Sequence, residues 1–430
     1  MPEKVVIIGN GIAGVTAARH IRKFSDKEIL IISAESEYFF SRTALMYIYM
    51  GHMKFEHTKP YEDHFWKKNN IQLLQAFIEE VNVIDKTLRT QEGETINYDQ
   101  LILATGSQTF FRGWEGENLN GVQGLVTKQD LELLEKNSQH IKKAVIIGGG
   151  LIGVELAEML HTRKVEVSIL VRETGFWGSV LPKEEAQFIS KHIQKNGIEI
   201  LEATELDKII GNKNNQVQSI VTKDGREISC DFVGICTGVK PNIDFLKDSG
   251  IQTNRGILVN KFLETNVKDV YAIGDCAEQK EPQSHRKSIE AVWYVGRMMG
   301  ETVAQTICEN KTAYQPGYWY NSAKFFEIEY QTYGQVLAKA EDHIGSFYWE
   351  DSKHEKAIHI QYVKSDETFL GINTFGIRMR HEVIDRWLSR QMKLEEVISC
   401  LKEANFDKEF SRKFEKQIQS SFQEQYSKVI

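Results

Sequence analysis

Three features of this 430-residue sequence predict an α/β protein with two doubly wound units and a C-terminal α+β domain. An apolar run ends in GNGIAG (Gly9 to Gly14), and a second such run ends in GGGLIG (Gly148 to Gly153). The last third carries short alternating runs followed by helical patterns. A strand buried on both faces reads as an unbroken β-branched run, and a glycine turn leading into a helix is the crossover of a parallel sheet.

The first element is the run Lys4–Ile8, followed by the glycine turn and a helical stretch from Val15 to Phe24. In such a turn Gly9 permits the sharp bend, Gly11 lets backbone approach a pyrophosphate, and Gly14 allows close helix–strand packing. The helix N-terminus then presents N–H groups and a positive dipole end to phosphate oxygens. A second strand, Ile29–Ile32, precedes Glu35, which stands about 20 residues past the glycines, where an acid holds a ribose hydroxyl. The pattern then repeats. Ala144–Ile147 leads into Gly148, Gly150 and Gly153, a helix from Val154 to Leu160 and a strand from Val167 to Val171. Two Rossmann-like units predict two dinucleotides in one chain, which is what a hydride relay needs.

Composition narrows the function classes. Hydrophobic content of 41% and charged content of 26% are those of an ordinary globular protein. A net charge of −7 argues against nucleic-acid and anionic-membrane partners. No apolar run approaches the roughly 20 residues that span a bilayer. The opening MPEKVVIIGNGIAG reads as strand and turn, not as a signal peptide. Cys230, Cys236, Cys276, Cys308 and Cys400 form no CxxC, and this odd, scattered set predicts reduced thiols in a cytoplasm. His52, His57 and His64 lie in a charged, loop-like region, and no cluster has metal-site spacing, so no metal is expected.

Four ordered motifs then carry a resemblance: LILATGS (Leu101 to Ser107), GGGLIGVELAEML (Gly148 to Leu160), CTGVKPN (Cys236 to Asn242) and VYAIGDCAE (Val270 to Glu278). Over about Lys4 to Gly300 the chain resembles the FAD-dependent pyridine nucleotide–disulfide oxidoreductase superfamily. The resemblance implies that Thr105, Gly106, Gly274 and Asp275 contact FAD, with Asp275 bonding the ribityl chain. It implies that Gly148, Gly150, Gly153 and Gly238 serve NAD(P)H, with Glu155 near the nicotinamide. It also implies a discontinuous FAD domain, residues 1–110 and 241–318, with the NAD(P)H domain, residues 111–240, inserted. Residues 319–430 would form the α+β domain that completes an interface, as in a homodimer.

The branch is read from EYFFSRTALMYIYMG, Glu37 to Gly51. YFFSRTALMY is similar to a segment of ferredoxin, rubredoxin and nitrite reductase-type flavoproteins, with Arg42 placed to donate to the FAD pyrophosphate. The thiol-relay branches carry cysteine in this region, whereas the first cysteine here is Cys230. Thr43 replaces the family proline, and Tyr47 replaces a lysine that many members hold beside the flavin. No residue is therefore assigned an acid–base role; Glu155 and Tyr47 are expected only near flavin and nicotinamide. Ile289 to Ala304 has a helical pattern and resembles the family segment whose N-terminus faces the flavin, which implies that Trp293 shields a ring face. Arg172 suits a 2′-phosphate and Glu173 opposes one, which tilts the reading slightly to NADPH and leaves NADH open.

In the last third, runs such as SFYWE and AIHIQYV predict antiparallel strands, and HEVIDRWLSRQ and LEEVISCLKEA amphipathic helices. The tail Asp407 to Ile430 places Phe410, Phe414, Ile418, Phe422 and Tyr426 at helical spacing. The expectation is an FAD-dependent NAD(P)H oxidoreductase that passes electrons to an external acceptor, a small redox protein such as ferredoxin or rubredoxin. The alternatives are an NADH oxidase or peroxidase without a redox thiol, and a non-catalytic NAD(P)H-sensing flavoprotein.

Overall fold

In the computed structural model, which describes residues 2–407, 409–410 and 412–426, the chain divides into two compact units. One unit comprises residues 1–112, 123–139 and 238–316; the other comprises 113–122, 140–237 and 317–430.

The first unit is built on a five-stranded sheet in the order Val270–Ala272, Gln100–Leu103, Lys4–Ile8, Glu28–Ser33, Ile71–Gln75. Every pairing in it is parallel. Val5, Val6 and Ile7 of the central strand are fully buried, as its unbroken β-branched run requires. The helix Ile12–Phe24 packs against the helix Trp293–Ile307. Glycine permits the close approach, because a Cβ on Gly300 would lie 2.6 Å from the Ala13 carbonyl oxygen. The latter helix begins four residues after the expected Ile289. Val292 is extended (φ −137°, ψ 139°), and the Glu290 side chain is drawn into a buried pair with Arg286. The chain leaves and re-enters this unit through Ser107–Thr109 and Val239–Pro241, which pair antiparallel.

The second unit contains the repeat. Its parallel strands run in the order Glu199–Leu201, Glu166–Leu170, Lys143–Ile147, Phe232–Ile235. The C-terminal third supplies a five-stranded antiparallel sheet in the order Tyr320–Phe325, Ile328–Gly334, Phe369–Phe375, Ala357–Val363, Ile344–Glu350. Helices His381–Ser389, Leu394–Ala404 and Glu415–Tyr426 cover one face, with Trp387, Leu394, Ile418 and Phe422 in a common core with Phe347 and Ile372. The tail helix packs on its own domain but begins at Glu415, which leaves Phe410 exposed and outside the expected helical stripe; residues 408, 411 and 427–430 of the expected tail lie outside the described residues.

In the same unit the helix Lys183–Lys195 packs against this antiparallel sheet, with the Phe188 and Phe375 rings 5.4 Å apart. Glu185 follows the same 3.6-residue stripe as Ile189 and Ile193, so the helix period carries a carboxylate into the core.

Candidate functional site

In the first unit the three glycines of the first turn divide by environment. Gly9 has φ +112°, and a Cβ on it would lie 2.1 Å from the Ala104 carbonyl oxygen. A Cβ on Gly14 would lie 2.1 Å from the Gly9 carbonyl oxygen. Around the corresponding position on Gly11 nothing lies within 4 Å. The chain itself therefore requires the first and third glycines, whereas the second faces open space at a helix start that has no side-chain cap. Exposed backbone donors with no Cβ beside them fit a pyrophosphate.

Asn10, which sequence reasoning missed, locks the turn. Its Nδ2 donates to the Ser36 carbonyl at 2.7 Å, and its Oδ1 accepts from Ser33 Oγ at 2.9 Å. Its signal was weak, a polar residue within a glycine turn.

Glu35 and Arg42 meet directly. Arg42 Nη1 donates to Glu35 Oε1 at 2.8 Å and Nη2 to Oε2 at 2.5 Å, while the Lys128 backbone N–H donates to Oε1 at 2.8 Å. Arg42 Nη1 also reaches the Val126 carbonyl at 2.6 Å. A carboxylate oxygen accepts more than one hydrogen bond, so Glu35 keeps capacity for a ribose hydroxyl. Asp275 is half-buried beside Ser107, whose Oγ donates to Oδ2 at 2.8 Å. Burial pushes its carboxyl up, while Ser107 and Arg42 hold it down. Gly274 before it has φ +73°. Thr105 Oγ1 donates to the Asn242 carbonyl at 2.7 Å, and Gly106, at φ +68°, accepts from the Asn242 N–H at 2.9 Å. Tyr47 is half-buried on the short helix Leu45–Tyr49 and stacks on His52 with ring centres 6.1 Å apart. Trp293 is exposed at the start of its helix, edge-on to Tyr294 at 5.6 Å. A cavity of about 240 Å³ in the same unit, between Lys261, Gln279, Arg286 and Tyr314, shares no lining residue with this group.

In the second unit the turn repeats this division. Gly148 has φ +117°, with its would-be Cβ 2.4 Å from the Cys236 carbonyl oxygen. A Cβ on Gly153 would lie 2.3 Å from the Gly148 carbonyl oxygen, while Gly150 is open except for Trp177 Nε1 at 4.0 Å. Val171 is buried against Gly149. Arg172 points to solvent and pairs with Glu173 at 3.0 Å. Gly238, grouped with this turn by the sequence, has φ +104° and falls in the first unit, where its carbonyl accepts from the Phe110 N–H at 3.1 Å.

Glu155, half-buried on the helix Leu151–Thr162, is pushed up to about 7 by burial and then by the Glu158 charge. A raised carboxyl keeps its proton in the folded chain at pH values where the unfolded chain has lost it. Its contribution to stability is present below about pH 4.5 and is lost as pH rises through about 7. We expect Glu155→Gln to flatten the stability–pH profile between these values by about 1–3 kcal/mol in urea titrations. An unchanged slope would remove Glu155 as its source.

All five cysteines are free, and burial pushes the Cys236 and Cys276 thiols up, away from the thiolate a relay requires. No cluster of metal-ligating side chains and no helix long and apolar enough to cross a membrane occurs among the described residues.

Residues 3–299 match the family model for pyridine nucleotide-disulphide oxidoreductases. The chain is 29% identical over 328 residues to an NADH oxidase of Methanocaldococcus jannaschii, covering 73% of this chain and 72% of that one. It is 30% identical to a rubredoxin-NAD(+) reductase of Acinetobacter baylyi, covering 64% of this chain and 72% of that one. Of two other curated relatives it spans only 36% and 35%. The fold is similar to that of an NAD-dependent persulfide reductase from A. fulgidus, with a TM-score of 0.85, 21% identity, and 99% of this chain and 84% of that one covered.

Proposed function

Because the chain belongs to the pyridine nucleotide-disulphide oxidoreductase family, we propose that it is an FAD-dependent NAD(P)H oxidoreductase that reduces a small redox protein. The observation that carries this reading is the duplicated turn, in which Gly11 and Gly150 are each left open while their neighbouring glycines are closed by backbone. When bound, FAD supplies the chemistry that takes a hydride from NAD(P)H and releases electrons to an acceptor.

The chain's own part is positioning. The first turn and helix end hold the FAD pyrophosphate, the Arg42–Glu35 pair orients the adenosine half, and Asp275 accepts from the ribityl chain. Trp293 and Tyr47 border the flavin. The second turn holds the NAD(P)H pyrophosphate, and Glu155, with a proton affinity near neutral pH, stands toward the nicotinamide. On this reading residues 1–110 and 241–318 form the FAD domain, 111–240 the NAD(P)H domain, and 319–430 an interface domain of a homodimer. Five unpaired cysteines favour a cytoplasmic setting. The relative from Acinetobacter baylyi supports rubredoxin or a similar carrier as the acceptor. The relative from Methanocaldococcus jannaschii supports a second reading, an oxidase.

Anaerobic mixing with NADH and with NADPH, followed by addition of ferredoxin, rubredoxin or oxygen, separates these readings. We expect flavin bleaching within seconds and turnover that depends on the carrier. Vigorous oxygen consumption without a carrier selects the oxidase. Reduction that takes many minutes with both nucleotides would leave only a sensing role.

A further inference from the structure

The strap between the second glycine unit's closing strand and the helix Lys183–Lys195 holds an aromatic residue in a backbone conformation that aromatics avoid. Trp177 has φ +59°, in the left-handed region, which costs a bulky residue on the order of 1 kcal/mol or more. Such strain persists only where the surroundings over-determine it, and here they do. Phe176 is fully buried, and its N–H donates to Ser190 Oγ at 2.8 Å. The Trp177 carbonyl accepts from the Val180 and Leu181 N–H groups, each at 2.9 Å. Its ring lies 6.0 Å from Phe325 and edge-on to Tyr330 at 5.9 Å, both buried residues of the C-terminal antiparallel sheet.

The strained backbone and this aromatic clamp deliver the indole Nε1 to one place, 4.0 Å from where a Cβ on Gly150 would stand. Gly150 is the second glycine of the turn, the one that faces open space. An indole N–H is a donor only, and among the described residues this one has no hydrogen-bond partner. A phosphate oxygen lying against Gly150 comes within its reach.

We propose that the Trp177 indole N–H donates to the pyrophosphate of the dinucleotide bound at Gly148–Gly153, and that the C-terminal sheet holds it there. This rests on reading that turn as the NAD(P)H site, and it adds a donor from outside the glycine motif. It also gives residues 319–430 a part in nucleotide binding beyond any interface. Because the pyrophosphate is common to NADH and NADPH, Trp177 acts on both alike, whereas Arg172 would act on one.

The test uses the FAD-loaded enzyme and calorimetric binding of ADP-ribose, which carries the pyrophosphate but cannot react, with adenosine as control. Trp177→Phe keeps the ring packing and removes the donor. It should bind ADP-ribose about tenfold to a hundredfold more weakly than wild type, as expected for one hydrogen bond to a charged group, and adenosine equally well. Its weakening of NADH and of NADPH should agree within about twofold, and its flavin content should match wild type. Trp177→His, which returns an N–H and tolerates positive φ, should recover part of the loss. Equal ADP-ribose affinity in wild type and Trp177→Phe would overturn the proposal and leave the site reading intact. Wild type that binds neither ADP-ribose nor NAD(P)H would overturn both.

Discussion

A Gly11→Val protein should fold with an unchanged unfolding midpoint and yet be purified without flavin. Valine is allowed at this backbone, which has φ −69°, and its Cβ meets nothing within 4 Å. The added carbons occupy the space that a pyrophosphate needs against the helix start. Shifting the phosphate off those donors should weaken FAD binding by two orders of magnitude or more, about 3 kcal/mol. Gly14→Val supplies the contrast. Its Cβ would lie 2.1 Å from the Gly9 carbonyl oxygen, an impossible contact that only movement of the helix from the sheet can relieve. That protein should lose flavin and stability together, by several kcal/mol. The pair of measurements is flavin absorbance per chain and thermal unfolding of each apoprotein. A Gly11→Val protein that retains bound FAD would show that the pyrophosphate does not lie at Gly11.

The second large effect is expected in the core of the second unit. Glu185 is fully buried, with its Oε1 3.2 Å from His359 Nδ1, and Asn373 Nδ2 donates to its two oxygens at 3.1 and 2.9 Å. The His359 contact has ion-pair distance without the alignment of a hydrogen bond. Burial pushes the Glu185 carboxyl up, and His359 and Asn373 pull it down. Removing one partner strands the others in an apolar core, so Glu185→Ala should cost about 2–4 kcal/mol. Replacing both ionisable groups, as in Glu185→Met with His359→Leu, removes the stranded charge. The double substitution should therefore be more stable than the sum of the singles by 1 kcal/mol or more. Urea denaturation of Glu185→Met, His359→Leu and the double substitution reads this directly. Additive losses would mean that the two side chains do not interact.

Both effects bear on what could be read from residue order. The glycine turns were fully legible, because φ > 0 and carbonyl contacts inside 2.5 Å exclude every other residue and so leave a fixed spacing. Strands on either side were legible because burial on two faces permits only apolar runs. The start of the helix was misplaced by four residues, because Ile289, Val292 and Val295 continue its apolar spacing into a segment whose backbone is extended at Val292. Glu185 was missed because a single acid on an amphipathic helix reads as an ordinary surface residue until the sheet that covers it is known. Trp177, in VRETGFWG after the second unit's strand, was missed as well. Its direction was not legible, since no periodicity governs an irregular strap.

By itself, then, the sequence determined the two parallel-sheet units, the glycine spacing of each turn, and the lack of cysteine in EYFFSRTALMYIYMG. These are local constraints, set by backbone geometry and strand burial within a few residues of each position. Only the tertiary structure decided that Arg42 pairs with Glu35, that Glu185 meets His359 across 174 positions, and that the Trp177 indole stands over Gly150 beside Phe325. The last two join segments distant along the chain, and the first spans seven residues of irregular backbone. A side chain's partner there depends on how whole elements pack, which no local pattern encodes.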